Sequence, residues 1–176
     1  ITLDLLEGMA ALSERADALA EHCGRSHGGM TPDHAIVTED GVVALLEPGL
    51  GLALSASDVW GKHAKRLGYD APEIMAGESA DASADVFAVA RSLGKRLERG
   101  DAPRADGQKR IGKEDVPKEL ADVLARCLAL DPAERFALPQ EAADALRSLG
   151  MDIADEAAVA ELLGAVMGRK EARRSV

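Results

Sequence analysis

The sequence predicts a mainly α-helical domain with one short β-hairpin. Three observations point there. Apolar side chains recur at helical spacing in several long stretches, Val-rich arms flank an Asp-Gly pair at Asp40-Gly41, and aromatic residues make up only 2% of the chain. With Trp60, Tyr69, Phe87 and Phe136 as the whole aromatic set, the core has to be built from Leu, Ala, Val, Ile and Met.

The elements follow in order. Leu3, Leu6, Met9, Ala10, Leu12, Ala16 and Leu19 set the apolar side of a helix over about Thr2–Cys23, stopped by Gly24. The hairpin comes next: the arms of HAIVTEDGVVALL fold back around Thr38-Glu39-Asp40-Gly41, because Gly accepts the positive backbone angle such a turn needs. From Glu47 to Gly68 the chain is rich in Gly, Ala and Ser and reads as a loop with a short helical insert around Ala56–Arg66. A turn of helix follows Ala71-Pro72. A stronger helix spans about Ala82–Glu98, with Val86, Val89, Ala90, Leu93 and Leu97 facing inward and Gly94 as a local weakness. Asp101–Val116 is a surface loop. Pro117 opens a helix through Leu120, Val123, Leu124, Cys127 and Leu128, which Asp131-Pro132 is expected to stop. Pro139 opens another through Ala142, Ala143, Leu146 and Leu149, and a last helix covers Asp155 to about Met167.

Composition and charge exclude several classes. A chain of 176 residues fits one domain, and 47% hydrophobic with 30% charged residues is a globular balance, not a disordered one. The net charge of −10 argues against nonspecific nucleic-acid binding, leaving only the basic runs at 99–110 and 168–174 as surface candidates. Cys23 and Cys127 form no disulfide scaffold and no CxxC pair, so both are expected as packed thiols in a reducing compartment. No apolar run reaches membrane-spanning length and the start has no secretory leader pattern, so a cytoplasmic protein is expected.

Four local patterns then occur in a telling order. They are His27-Gly28-Gly29-Met30-Thr31-Pro32-Asp33-His34, Leu46-Glu47-Pro48-Gly49-Leu50, Gly68-Tyr69-Asp70-Ala71-Pro72-Glu73, and the run Arg126 to Arg135 through Leu130-Asp131-Pro132. With Ser83-Ala84-Asp85-Val86-Phe87 between the last two, the order and spacing resemble the C-terminal lobe of a bacterial-type Ser/Thr protein kinase. The match covers about Leu3 to Leu149. It therefore implies a C-lobe-like domain over residues 1–149 and a helical extension with a charged tail over 150–176.

The resemblance implies that the architecture is kept. Glu73, closing an intact Ala-Pro-Glu triplet, should pair with Arg135, and Asp85 should orient the catalytic-loop backbone from below. The chemistry is degenerate. His27 opens the loop, but Gly29 stands where the family places the catalytic Asp, and Gly offers no carboxylate to orient a hydroxyl. His34 stands at the magnesium-binding Asn, where imidazole suits a hard cation poorly. Glu47 replaces the Asp of the Asp-Phe-Gly triplet, and Pro48 replaces its aromatic residue.

No Gly-rich strand pair with a following Lys precedes Thr2, so the nucleotide-binding lobe is expected to be absent here or supplied elsewhere. These substitutions imply a pseudokinase-like regulatory or scaffold module in signalling that binds a protein partner, with no cofactor and no ATP or magnesium. Its contact surface is expected to be the face that the missing lobe would cover, or the terminal helices, with Leu3, Leu6, Leu162, Leu163 and Val166 as candidates. The alternative is an atypical phosphotransferase whose nucleotide-binding portion lies outside this chain. His22, Cys23, His27 and His34 lack the repeated spacing of a zinc site, and no metal is expected. GxSxG, HExxH, P-loop and dinucleotide motifs are absent from the sequence.

Overall fold

In the computed structural model the described residues are 26–47, 49, 68–98, 116–151, 156–161 and 163–164. The first predicted helix, the insert around Ala56–Arg66 and the loop from Asp101 lie outside them. The described chain is mainly helical with one two-stranded antiparallel sheet.

A 3-10 turn at Pro32–His34 leads directly into β1 (Ala35–Val37), which pairs with β2 (Val43–Leu45) in the register Ala35↔Leu45, Ile36↔Ala44, Val37↔Val43. The connection is a three-residue loop rather than a tight two-residue turn. Thr38 N donates to Val42 O at 2.9 Å, Gly41 N donates to Thr38 O at 3.0 Å, and Gly41 takes φ 89°. That left-handed position is where glycine is needed. Because side chains alternate along a strand, Ala35, Val43 and Leu45 turn inward onto the core. His34, Ile36, Ala44 and Leu46 fall on the opposite face, where Ile36 is 46% and Leu46 40% exposed.

Among the described residues up to 151, the helices that follow are α1 (Pro72–Ala76), α2 (Ala82–Glu98), α3 (Lys118–Cys127) and α4 (Pro139–Ser148), and residues 156–161 are helical as well. Asp81 starts α2 by accepting from Ala84 N at 3.0 Å and Ser83 Oγ at 2.7 Å, which satisfies donors that a helix start leaves open. Its first half is buried on all sides, and Val86 and Val89 are the centre of the core. Each such valine contributes about 1.5–3 kcal/mol through burial. α2, α3 and α4 pack on one another, with Leu124 and Cys127 from α3, Ala142 and Ala143 from α4, and Met30 and Phe136 from the connecting segments. Pro139 occupies the first turn of α4, where its missing N–H costs nothing.

The end of α3 falls at the last residues of its apolar run. α3 ends at Cys127 and is capped by Leu128, four residues before Asp131-Pro132. The freed carbonyls of Ala129 and Leu130 accept from Arg135, at 2.8 and 3.2 Å, and the chain then makes a 3-10 turn at Pro132–Glu134 capped by Asp131. Among the described residues no helix is long and apolar enough to cross a membrane.

Candidate functional site

The site is built where the loop of residues 26–34 meets the end of the hairpin, with α2 below. Asp85, one turn into α2 and 3% exposed, accepts from Ser26 Oγ at 2.8 Å, from His27 N at 2.6 Å and from Gly28 N at 3.0 Å. Burial pushes its carboxyl from the ordinary 3.8 up to about 6, and the three donated hydrogen bonds pull the other way. The loop backbone is thereby fixed by a single side chain.

His27 fastens the same loop to the segment after β2. Its Nε2 lies 2.8 Å from Leu46 O, a pure acceptor, so the proton sits on Nε2, and Gly49 N donates to His27 O at 3.2 Å. Its Nδ1 is buried and has no hydrogen-bond partner among the described residues. Burial lowers the His27 pKa, only partly offset by the Leu46 carbonyl and by Glu47.

His34 stacks obliquely on His27, with ring centroids 5.3 Å apart. Its Nδ1 accepts from Thr31 N at 3.2 Å and lies 3.1 Å from Thr31 Oγ1, closing the 3-10 turn. Desolvation and the neighbouring His27 lower its pKa, so imidazole is the neutral-pH form. Nε2 faces Glu47 Oε2 at 3.7 Å, beyond hydrogen-bond length. Glu47 is 58% exposed at its side chain and holds φ 57°, a left-handed conformation that costs a non-glycine residue about 1–2 kcal/mol.

Gly29 is buried beside a cavity of about 10 Å³ lined by Gly28, Met30, Asp70, Ala71 and Asp85, room for one water molecule. Burial raises the Asp70 carboxyl, with Lys95 opposing that shift from α2, where its Nζ also lies 4.0 Å over the Tyr69 ring.

At the base, Arg135 and Glu73 form a bidentate pair at 2.6 and 2.8 Å, with side chains 0% and 10% exposed. Arg135 also donates through Nε to Ala129 O at 2.8 Å and lies 4.9 Å over the Phe87 ring. Its planar fork matches the carboxylate, a geometry that lysine cannot reproduce.

The structure thus gathers His27, Gly29, His34 and Glu47 at one end, sets Asp85 beneath them, and joins Glu73 to Arg135 below. Leu3, Leu6, Leu162 and Val166 lie outside the described residues, and Leu163 is half-buried. Ser26 and the Leu46 carbonyl, both essential to the loop's shape, carried no sequence signal. Asp81 and Asp85 both lie at the start of α2, one capping it and the other facing the loop. Among the described residues no group of three His, Cys, Asp or Glu side chains is arranged to hold a metal ion. Cys127 is buried, its thiol pushed up to about 11, which leaves it protonated and unreactive.

A helical base tied by an Arg-carboxylate fork, under a loop fixed by one buried Asp and a short hairpin, is a protein-kinase-like fold of the C-lobe type. The kinase domain of Mycobacterium tuberculosis PknI, solved as a double mutant, superposes with a TM-score of 0.53 at 26% identity, covering 85% of this chain and 56% of that one. Serine/threonine-protein kinase PknD of Mycobacterium tuberculosis, from two strains, is 30% identical over 134 residues, covering 64% of this chain. The match takes in 20% of PknD, so the chain spans about a fifth of the length of these curated relatives. No family model matches.

Proposed function

We propose that this chain is a catalytically inactive, pseudokinase-like regulatory or scaffold module that binds a protein partner in the cytoplasm. One observation carries the reading: the loop is fixed from below by Asp85, yet at Gly29 it presents a buried glycine and no carboxylate. Without that carboxylate the loop lacks, at this position, the group that would orient a substrate hydroxyl for phosphoryl transfer. The scaffold of residues 1–149 then serves to present a surface, and residues 150–176 extend it.

The outer face of the hairpin is the surface we assign to the partner. Ile36 on β1 and Val42 and Leu46 at the two ends of β2 are 46%, 39% and 40% exposed, and the acids Glu39, Asp40 and Glu47 beside them are exposed too. Apolar side chains ringed by charge are the composition of an interface core with its rim.

A second reading is favoured by one feature. The Glu47 carboxylate, exposed and 3.7 Å from His34, retains a negative charge at the position where the resemblance puts a metal ligand. An atypical phosphotransferase would use it with nucleotide-binding residues from outside this chain.

The test is quantitative mass spectrometry of proteins retained from native extract by the full-length protein, by an Ile36→Asp form, and by a Glu73→Ala form as the folding control. A partner kept by the wild type and lost on Ile36→Asp, with thermal unfolding unchanged, supports the proposal. Retention unaffected by Ile36→Asp removes the hairpin face from it. Magnesium-dependent ATP binding by the full-length protein, abolished by Glu47→Ala, moves the second reading to the front.

A further inference from the structure

Asp70 lines the cavity beside Gly29 at a cost to the fold. It is half-buried on the segment that leads into α1, and burial raises its pKa although Lys95 draws it down. The native state therefore favours the protonated acid, so at neutral pH the ionised group lowers stability. A cation brought to the cavity would offset that loss.

The walls of the cavity limit what that cation can be. Asp85 lines the same space, and while its Oδ2 accepts from both Ser26 Oγ and His27 N, its Oδ1 accepts from Gly28 N alone, which leaves capacity for one more donor. The remaining described lining is small or apolar, as at Gly29, Ile74, Ala80 and Ala84, and contains no basic side chain. The cavity of about 10 Å³ admits one group the size of a water molecule, within about 220 Å³ of free space, open solvent included. A primary ammonium is a compact head of that size with three donors, whereas a guanidinium is a broad planar fork. An alkyl stem would lie along Ile74 and the alanines while its charged head reached the carboxylates.

We propose that this cavity binds the primary ammonium of a lysine side chain presented by another protein, with Asp70 as the carboxylate that receives it. Asp70 is the selecting group, because both oxygens of Asp85 already hold the loop. The inference rests on the partner-binding reading only for the source of the lysine. It shares no residue with the outer face of the hairpin, so the two surfaces can fail separately.

The head group can be tested without a partner. Acetyl-lysine methylamide, whose only charge is the side-chain ammonium, is titrated into the full chain at constant pH and salt, with the arginine and norleucine counterparts alongside. The amide NMR signals of Gly28, Gly29 and Asp70 report occupancy. A saturable response to the lysine probe is expected, with a weaker one to arginine and none to norleucine. Asp70→Asn should weaken lysine binding about tenfold or more, the effect of losing a hydrogen bond to a charged group, while thermal stability holds or rises. Ala80→Leu narrows the lining without touching the carboxylate and should block the probe as well. Equal responses to lysine and arginine overturn the proposal, as does binding that survives Asp70→Asn. A loss of stability in Asp70→Asn also overturns it, because the carboxylate would then serve the fold. If the lysine probe passes and native extract yields no selective partner, the ammonium site stands and the partner-binding reading falls.

Discussion

The base of the domain and its upper site are built to different standards. At the base, the Arg135 guanidinium is fully buried and engaged by Glu73, Ala129 O and Leu130 O. At the upper site, a buried His27 nitrogen has no partner among the described residues, His34 and Glu47 stop at 3.7 Å, and Glu47 sits in a left-handed backbone conformation. Saturated hydrogen bonding makes a region cooperative and intolerant of change, whereas a loosely matched, partly exposed one can vary at little cost to folding. The contrast predicts that, among the described residues, the base around Arg135 contributes more to stability than the His27, His34 and Glu47 cluster.

The contrast breaks first at the fork. Arg135→Ala strands the Glu73 carboxylate and opens a void beside Phe87, and the expected loss is about 3–5 kcal/mol of unfolding free energy. Arg135→Lys should recover less than half of it, since a point charge cannot make both bonds. Urea denaturation of the three forms measures this directly. A loss below about 1 kcal/mol for Arg135→Ala would place the stability of the domain elsewhere.

Asp85 joins the two regions and gives the next effect. Asp85→Asn keeps one acceptor oxygen for three donors and turns an amide N–H₂ toward the loop, for an expected loss of about 2–3 kcal/mol at neutral pH. The pH dependence has a definite sign. With the folded carboxyl held near 6, above its ordinary 3.8, the native state binds the proton more tightly than the unfolded chain. Stability from this group is therefore fully present below about pH 4 and lost as pH rises through 6. The deficit of Asp85→Asn should widen as pH falls from 7 to 4. A deficit that narrows instead would mean that the three donors outweigh burial and hold the carboxyl below its ordinary value.

Much of this was legible in the sequence because it is local. Leu120, Val123, Leu124 and Cys127 mark α3 by their spacing, Pro139 marks the start of α4, and Val-rich arms around Asp40-Gly41 mark the hairpin. The end of α3 was legible to within a residue, since the apolar pattern runs through Leu128 and Leu128 is the C-cap, its N–H donating to Leu124 O at 3.0 Å, whereas the use of the Ala129 and Leu130 carbonyls by Arg135 was not. The upper site was readable as a set of residue types and not as a geometry. Nothing in the letters His27, His34 and Glu47 fixes a tautomer, a 3.7 Å gap or a positive φ, which arise from the meeting of segments distant in sequence. The Glu156 carbonyl oxygen fills the space that a Cβ on Gly41 would need, and this is of the same kind, since a glycine that suffices for its own turn carries no mark of a second contact.

The smallest effect has the opposite sign and sharpens the contrast. Glu47→Gly relieves a left-handed conformation worth about 1–2 kcal/mol for a residue with a Cβ, and gives back about 0.5–1 kcal/mol in unfolded-chain entropy. A net gain of roughly 0.5–1 kcal/mol in thermal unfolding is expected. Glu47→Ala separates backbone from side chain: it deletes the carboxylate facing His34 but keeps the Cβ, so it should give no gain. The His34 contact contributes little to either comparison at neutral pH, because the imidazole is uncharged there and the carboxylate is more than half exposed. If Ala and Gly stabilised equally, the side chain and not the backbone would be the source of strain. If Gly destabilised, the left-handed turn at 47 would be held by contacts of the glutamate that outweigh its conformational cost, and the upper site would be as tightly built as the base.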